Sequence, residues 1–392
     1  MKILLILFVF CVSLFVSQPV WASSTQLVWL DFPAVDSAHF RKAMAPPAWD
    51  FPEDFGPHND YQTEWWYYTG NLETESGRPF GFQLTFFRQA LTSNPEITAS
   101  HLRSNQIYSA HFTVSDIRGS CGVAPCADRH FYAFERFSRG NINLAGAEST
   151  PYHVWLQDWS ATELEPGKVR LQAKTSNVAL DLVVSQTLPP ILQGDHGLSI
   201  KGYEPGNASY YYSLVQQPTT GTLTLNEKSY TVNGITWKDH EYSTTALTPG
   251  TVGWDWFSIQ FDNGTALMLY LLRREDGTLE STSAGTFIAT NGTTQPLSAK
   301  DWMVNVLDTW KSTKSKATYP SKWRIEIPKL NLTVQGKSML ADQELNTSTV
   351  TYWEGAVAFE GSLKQEPLRG KGYVELTGYA DRLDSLLAER TP

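Results

Sequence analysis

The sequence predicts an all-β protein made of two similar antiparallel domains, of sandwich or barrel type. Three observations carry this reading. Apolar residues recur with period two, Gly, Pro and Asn punctuate the chain at short intervals, and helical periodicity is scarce. Phe82-Gln83-Leu84-Thr85-Phe86 alternates, as do Trp302-Met303-Val304-Asn305-Val306 and Trp323-Arg324-Ile325-Glu326-Ile327, and Leu330-Asn331-Leu332-Thr333-Val334 continues the pattern. Turn residues such as Asp262-Asn263-Gly264 and Asn291-Gly292 separate such runs. Many evenly spaced strands of this kind favour sandwiches or closed antiparallel sheets. Short helical pieces are expected near Asp36–Met44 and Asp381–Glu389.

The N-terminus reads as a secretory signal over residues 1–22. Lys2 supplies the positive start, Ile3 to Val16 is almost wholly apolar, and Val20-Trp21-Ala22 offers a cleavage site after Ala22. An uncleaved N-terminal anchor is the alternative. The apolar run is short for a membrane span, and no later run approaches that length. A cleaved chain would be periplasmic or secreted, with about 370 residues, enough for two domains with real cores. The formal net charge is −9 and Lys and Arg do not cluster, which argues against nucleic acid or an anionic membrane surface as main partner. A transient contact with a membrane or an exporter remains compatible with an exported chain.

Beyond the leader only Cys121 and Cys126 remain. An oxidising compartment and an even count point to a Cys121–Cys126 disulfide across a tight loop holding Gly122 and Pro125. A metal site with His130 is the alternative, but it would lack a fourth ligand nearby, so no metal is expected.

The chain repeats itself weakly, with chance similarity between two aromatic hairpins as the alternative. Glu64-Trp65-Trp66-Tyr67-Tyr68-Thr69-Gly70-Asn71-Leu72 lies over Gly253-Trp254-Asp255-Trp256-Phe257-Ser258-Ile259-Gln260-Phe261. A turn follows in each, then an apolar strand ending in Arg: Phe82 to Arg88, and Leu267 to Arg273. Two copies of one opening suggest two similar domains. The polar stretch Gln216-Gln217-Pro218-Thr219-Thr220-Gly221 suggests a boundary, giving an N-terminal domain over 23–220 and a C-terminal one over 221–392.

Aromatic residues are abundant, with 14 Trp, 17 Tyr and 19 Phe. Core packing accounts for most. The clusters Trp65-Trp66-Tyr67-Tyr68 and Trp254-x-Trp256-Phe257 alternate on strands, so each must bury both faces or present one to solvent or to the other domain. Rings lining a barrel can also hold an apolar ligand.

The ordered motifs HNDYQTEWWYYTGNL, GFQLTFFR, YSAHFTVSD, LQGDHGLSIKG, SYYYS, WKDHEYS, GWDWFSIQFDNG, ALMLYLLR, YPSKW, DQEL, YWEGAV and GKGYVELTGY resemble the AttH / hydroxyneurosporene-synthase-like family. Its members include proteins described as lipocalin-like, as carotenoid 1,2-hydratase or as predicted secreted hydrolase. The match runs from about Trp49 to Tyr379. The resemblance implies a calycin-type fold of two lipocalin-like β-barrel domains packed together. The hydratase branch adds water to a terminal carbon–carbon double bond of membrane-dissolved substrates inside the cell, whereas this chain reads as exported.

Hydrating an alkene needs a carboxylic acid kept protonated by an apolar setting, a way to hold a carbocation, and a delivered water. Aromatic faces can hold the cation. The segment 237–256 contains these types. The candidate catalytic residues are Asp239 or Asp255 as acid and His240 as base or water-orienting group. Trp65, Tyr67, Trp237, Tyr242, Trp254 and Trp256 are the candidate ligand-binding residues. On a strand, Asp239 and Glu241 share one face and His240 and Tyr242 the other, so all four line one cavity only if the backbone bulges. The plain alternative is a hydrogen-bonded corner in which Glu241 and Glu64 pair with Arg88, Arg273 or Arg274. His58, His111 and His196 carry the same alternative.

Other chemistries fit less well. No G-x-S-x-G elbow, zinc-protease motif, P-loop or dinucleotide fingerprint is present, and no cofactor is expected. A paired-carboxylate glycosidase drawing on Glu64, Asp255, Glu354 and Glu375 depends on distances the sequence does not give. Three readings follow: an exported binder of a small apolar ligand such as a lipid or isoprenoid, an enzyme of hydratase or hydrolase type acting on that ligand, and a structural or assembly protein.

Overall fold

Alternating sequence becomes strand because a pleated backbone sends successive side chains to opposite faces. The computed structural model describes residues 39–93, 104–118, 130–140, 143–244, 247–348 and 350–382. Among these the strands form two antiparallel sheets. One has 13 strands, from Thr63–Glu73 to Lys228–Ser243; the other has 10, from Thr251–Phe261 to Glu366–Leu376. They curl into a nearly closed barrel and a half-barrel, the all-β, lipocalin-like arrangement expected. No helix among the described residues is long and apolar enough to cross a membrane.

The two sheets share a plan. In the first, Thr63–Glu73 lies between Pro79–Ala90 and the last strand, Lys228–Ser243. In the second, Thr251–Phe261 lies between Ala266–Arg274 and the last strand, Glu366–Leu376. The repeated segments therefore occupy equivalent places. Arg88 stands opposite Glu64, and Arg273 opposite Gly253. The polar stretch 216–221 falls inside the strand Ala208–Leu225, where the register shifts between Leu214 and Gln217 and Gln216 has φ 52°. Its turn-like residues make a bulge that bends one strand. The passage between sheets comes later, between Ser243 and Thr251.

Strand alternation builds the three larger of four hydrophobic clusters among the described residues. Trp66, Tyr68, Phe82 and Phe86 fill the first sheet's inner face. Phe257, Ile259, Trp323 and Trp353 fill the second's. A third cluster joins Tyr67, Tyr211 and Trp237 of the first sheet to Trp256, Tyr270 and Tyr373 of the second. Both faces of the Trp65–Tyr68 segment are thus used, one in the first core and one between the sheets. Trp66, Trp159, Trp237, Trp323 and Trp353 are among the largest fully buried side chains. Each such ring contributes roughly 4–6 kcal/mol of transfer free energy.

The helix expected at Asp36–Met44 does not form over residues 40–44. The backbone there is tied to the sheet instead: the Tyr210 hydroxyl donates to Ala45 O at 3.0 Å, and Thr244 donates to Arg41 O. Pro46 and Pro47 also stop a helix from continuing. Residues 1–22, Cys121, Cys126 and most of Asp381–Glu389 lie outside the described residues.

Candidate active site

The strand Lys228–Ser243 pairs with Thr63–Glu73 without a break, from Thr63 opposite Ser243 to Glu73 opposite Asn233. No bulge intervenes, so alternation sorts the side chains. Lys238, His240 and Tyr242 go to the first sheet's inner side, and Trp237, Asp239 and Glu241 face the second sheet. The same rule splits Thr251–Phe261, with Trp254 and Trp256 between the sheets and Asp255 on the second sheet's core side.

Between the sheets, Asp239 is the focus of converging donors. Tyr211 OH donates to Oδ2 at 2.7 Å, and Ser213 Oγ and Trp237 Nε1 donate to Oδ1 at 2.5 and 2.6 Å. Trp256 Nε1 donates to Tyr211 OH at 3.1 Å, and Gln193 Nε2 to Ser213 Oγ at 2.8 Å. Burial lifts the Asp239 carboxyl to about 7, and the three donors hold it there rather than higher. Two more acids lie across from it. Glu354 and Glu375 are cross-strand neighbours. Burial lifts Glu375 to about 7 although Trp254 Nε1 donates to it at 3.0 Å. Burial and the neighbouring Glu375 hold Glu354 well above the usual range, although Tyr67 OH donates to it at 2.6 Å. The rings tie these groups together: Tyr67 and Trp256 meet edge-on at 5.1 Å, and Trp237 and Trp256 at 6.2 Å. Glu241, beside Asp239, accepts from Ser209 and pairs with Lys201 at 3.3 Å, whose ammonium sits 3.8 Å over the Tyr270 ring.

His240 belongs to a different network. Its Nε2 lies 2.8 Å from Glu64 Oε1, and its Nδ1 lies 2.8 Å from Tyr212 OH. Burial pulls the ring down to about 4 against the pull of Glu64. The ring is therefore neutral, donating to the ionised Glu64 and accepting from Tyr212. His58 behaves oppositely. Burial lowers it, but hydrogen bonds with Asp54 and Glu64, at 2.9 and 2.8 Å, outweigh burial and raise it to about 9. Arg88 Nε donates to Glu64 at 2.8 Å. Against burial, Arg88, His240 and His58 hold Glu64 well below the usual range.

His58, Glu64 and His240 bring their ligand atoms within 4.8 Å of one another, close enough to hold a metal. The donor set does not suit one. Both His58 nitrogens are committed as donors, His240 uses both of its own, and Arg88 already neutralises Glu64. Among the described residues this is a saturated corner. In the same inner region Lys238 lies 4.3 Å from the Tyr152 ring centre, and burial lowers its amine to about 7.

Asp255 makes a third network. It pairs with Arg273 Nε at 2.8 Å and accepts from Tyr379 OH at 3.1 Å. Burial still lifts its carboxyl above the ordinary value.

The structure thus separates the three candidate catalytic residues. Of the candidate ligand-binding rings it gathers Trp65, Tyr67, Trp237, Trp254 and Trp256 between the sheets. Tyr242 goes to the other side, where its ring stacks on His58 at 3.6 Å. Glu354 and Glu375, first considered only alongside Glu64 and Asp255, stand next to each other, and the latter two lie elsewhere. Sequence reasoning missed Tyr211, Ser213 and Lys201. The alternation in Ser209-Tyr210-Tyr211-Tyr212-Ser213 could have placed Ser209, Tyr211 and Ser213 on one face.

Two curled antiparallel sheets with buried acids between them define a lipocalin-like protein of a particular kind. The AttH-like family model matches residues 42–379, and the chain belongs to that family. It is similar to kievitone hydratase of Fusarium solani subsp. phaseoli, with 27% identity over 239 residues, 59% of this chain and 66% of that one. Dehydratase asqC of Emericella nidulans is 24% identical over 218 residues, 53% of this chain and 60% of that one. The alignments span just under two thirds of the length of these curated relatives. Among solved structures, an AttH of Nitrosomonas europaea matches with TM-score 0.75 and 32% identity, covering 87% of this chain and all of that one. Kievitone hydratase of Nectria haematococca shares the fold, with TM-score 0.64, 18% identity, and coverage of 86% of this chain and 96% of that one.

Proposed function

We propose that this chain is a hydro-lyase of hydratase or dehydratase type, acting on a largely apolar substrate held between the two sheets. The observation that carries the reading is Asp239, lifted to about 7 by burial among Tyr211, Trp237 and Trp256. A carboxyl poised near neutrality can give a proton and take one back. Two similar proteins bear the names hydratase and dehydratase, which supports the same reaction class.

In the hydration direction Asp239 gives its proton to one alkene carbon, and the other carbon becomes cationic. Ring faces of Trp254, Trp256 and Tyr67 stabilise that cation. Water adds through oxygen and loses a proton to a carboxylate, which restores the acid. Dehydration is the reverse. Exclusion of water from the apolar walls keeps the acid protonated and lets one chosen water react. The leader-like N-terminus makes this an exported enzyme.

The test incubates the purified protein with a panel of alkenyl aromatic and isoprenoid compounds and their tertiary alcohols in heavy-oxygen water. A product heavier or lighter by one water, with label incorporated on addition and lost in Asp239→Asn, supports the proposal. Tight stoichiometric binding with no exchange of water would make the protein a carrier of apolar ligands instead.

A further inference from the structure

Four buried side-chain atoms between the sheets have no hydrogen-bond partner among the described residues: Asn71 Oδ1, Gln83 Oε1, Thr113 Oγ1 and Glu354 Oε2; nearby, Thr69 hydrogen-bonds Tyr67 and Tyr373 hydrogen-bonds Ser115. All four residues are at least nine-tenths buried, the most exposed being Asn71 at 8%. They are not scattered. Thr69 stands opposite Gln83, and Gln83 opposite Thr113, so two of them share one polar row with Thr69 across three adjacent strands. The next row holds Asn71, Gly81 and Ser115. Gly81 leaves the space that Tyr373 uses, since a Cβ there would lie 2.5 Å from the Tyr373 hydroxyl. Across the gap, Gln83 Nε2 donates to Tyr352 OH at 3.1 Å, and Asn71 Nδ2 to Gly372 O at 3.2 Å. The row therefore faces the second sheet. Tyr67, two residues before Thr69 on the same strand face, donates its OH to one oxygen of Glu354, and the other oxygen has no partner among the described residues.

Buried polar atoms of native proteins are almost always satisfied, and leaving four of them dry would consume much of the stability of a typical domain. The Asn and Gln oxygens accept only, so the missing partners must donate. We infer that a file of bound waters runs between the sheets from Thr113 through Gln83 and Thr69 to Glu354, and that it supplies the reacting water. The first half of this rests on the orphaned atoms alone; the second rests on the hydro-lyase reading. Glu354 is then the residue that hands water to the site, and the proton released on addition returns to the Asp239 carboxylate.

A high-resolution crystal structure of the protein without its leader tests the file directly, since it needs no substrate. Ordered waters within hydrogen-bond reach of Glu354 Oε2 and along Thr69, Gln83 and Thr113 are expected. Direct contacts among these side chains, with no solvent density, would overturn the inference. Thr113→Val is nearly isosteric and lies at the far end of the row from Glu354, so it tests supply. It is expected to remove the terminal water and lower kcat about fivefold or more, with KM little changed. Full turnover with that water gone would overturn the supply role. Waters in place together with an absence of any hydration or dehydration activity would leave the file standing and sink the hydro-lyase reading.

Discussion

Asp239 and His240 are neighbours in sequence and lie on opposite sides of one sheet. Asp239 Oδ2 is 2.7 Å from the Tyr211 hydroxyl between the sheets, and His240 Nε2 is 2.8 Å from Glu64 in the first sheet's interior. Burial favours the neutral form of both, lifting one to about 7 and lowering the other to about 4. A sequence motif that looks like an acid beside a base is two unrelated networks sharing a backbone.

Substitution should separate these networks. Asp239→Asn is expected to lower turnover about 10²- to 10⁴-fold, the usual worth of a positioned acid or base. His240→Gln is expected to leave turnover within a few-fold and to lower stability by about 1.5–3 kcal/mol through a weakened bond to ionised Glu64. Steady-state kinetics and denaturant unfolding of both variants check this.

Stability should fall as pH rises through neutrality. Asp239 is raised to about 7 in the fold, so its favourable contribution is complete below the unfolded value, near 4, and is lost as pH climbs through 7. Between pH 5 and 8 this loss is on the order of 2 kcal/mol for Asp239. Asp239→Asn removes its share and flattens the profile. Urea unfolding of both proteins at the two pH values measures it.

The Glu64 corner should respond in the opposite sense. Its folded carboxyl is held low, so its contribution is present above the unfolded value and is lost as pH falls through the folded one. Glu64→Gln leaves the buried Arg88 unpaired and should cost about 3–5 kcal/mol. Added zinc or a chelator should leave the Tm of the native protein unchanged, because the nitrogen and oxygen donors there are already committed.

The rings between the sheets should report on an apolar occupant. Retinol, used as a probe, is expected to quench tryptophan emission by energy transfer from Trp237, Trp254 and Trp256. Trp256→Phe keeps an edge-on ring against Tyr67 but loses the bond to Tyr211, and affinity should drop about fivefold. Titration of both proteins by fluorescence tests this, and equal affinities would place the probe elsewhere.

Much of the fold was legible because alternation is a local property. The split of Asp239 and Glu241 from His240 and Tyr242 follows from strand parity, and the overlay of 64–72 on 253–261 corresponds to equivalent strands. What lies across a gap was not legible. Glu354 and Glu375 come more than 100 residues after Asp239, and no local pattern says that their strands face it. The polar stretch 216–221 has the composition of a linker, yet its neighbours on both sides hold it in a bulged strand. Tyr242 looked equivalent to Trp237 as an aromatic near the acids, but their separation of five residues places them on opposite faces.

The proposed hydro-lyase chemistry needs a carboxyl between the sheets that exchanges a proton near neutral pH. Carboxyl-carbon NMR of the protein labelled at aspartate, with Asp239→Asn to assign the signal, measures this most directly. A titration midpoint for Asp239 at about 7 is the predicted result. A midpoint near the ordinary aspartate value of about 4 would contradict the account.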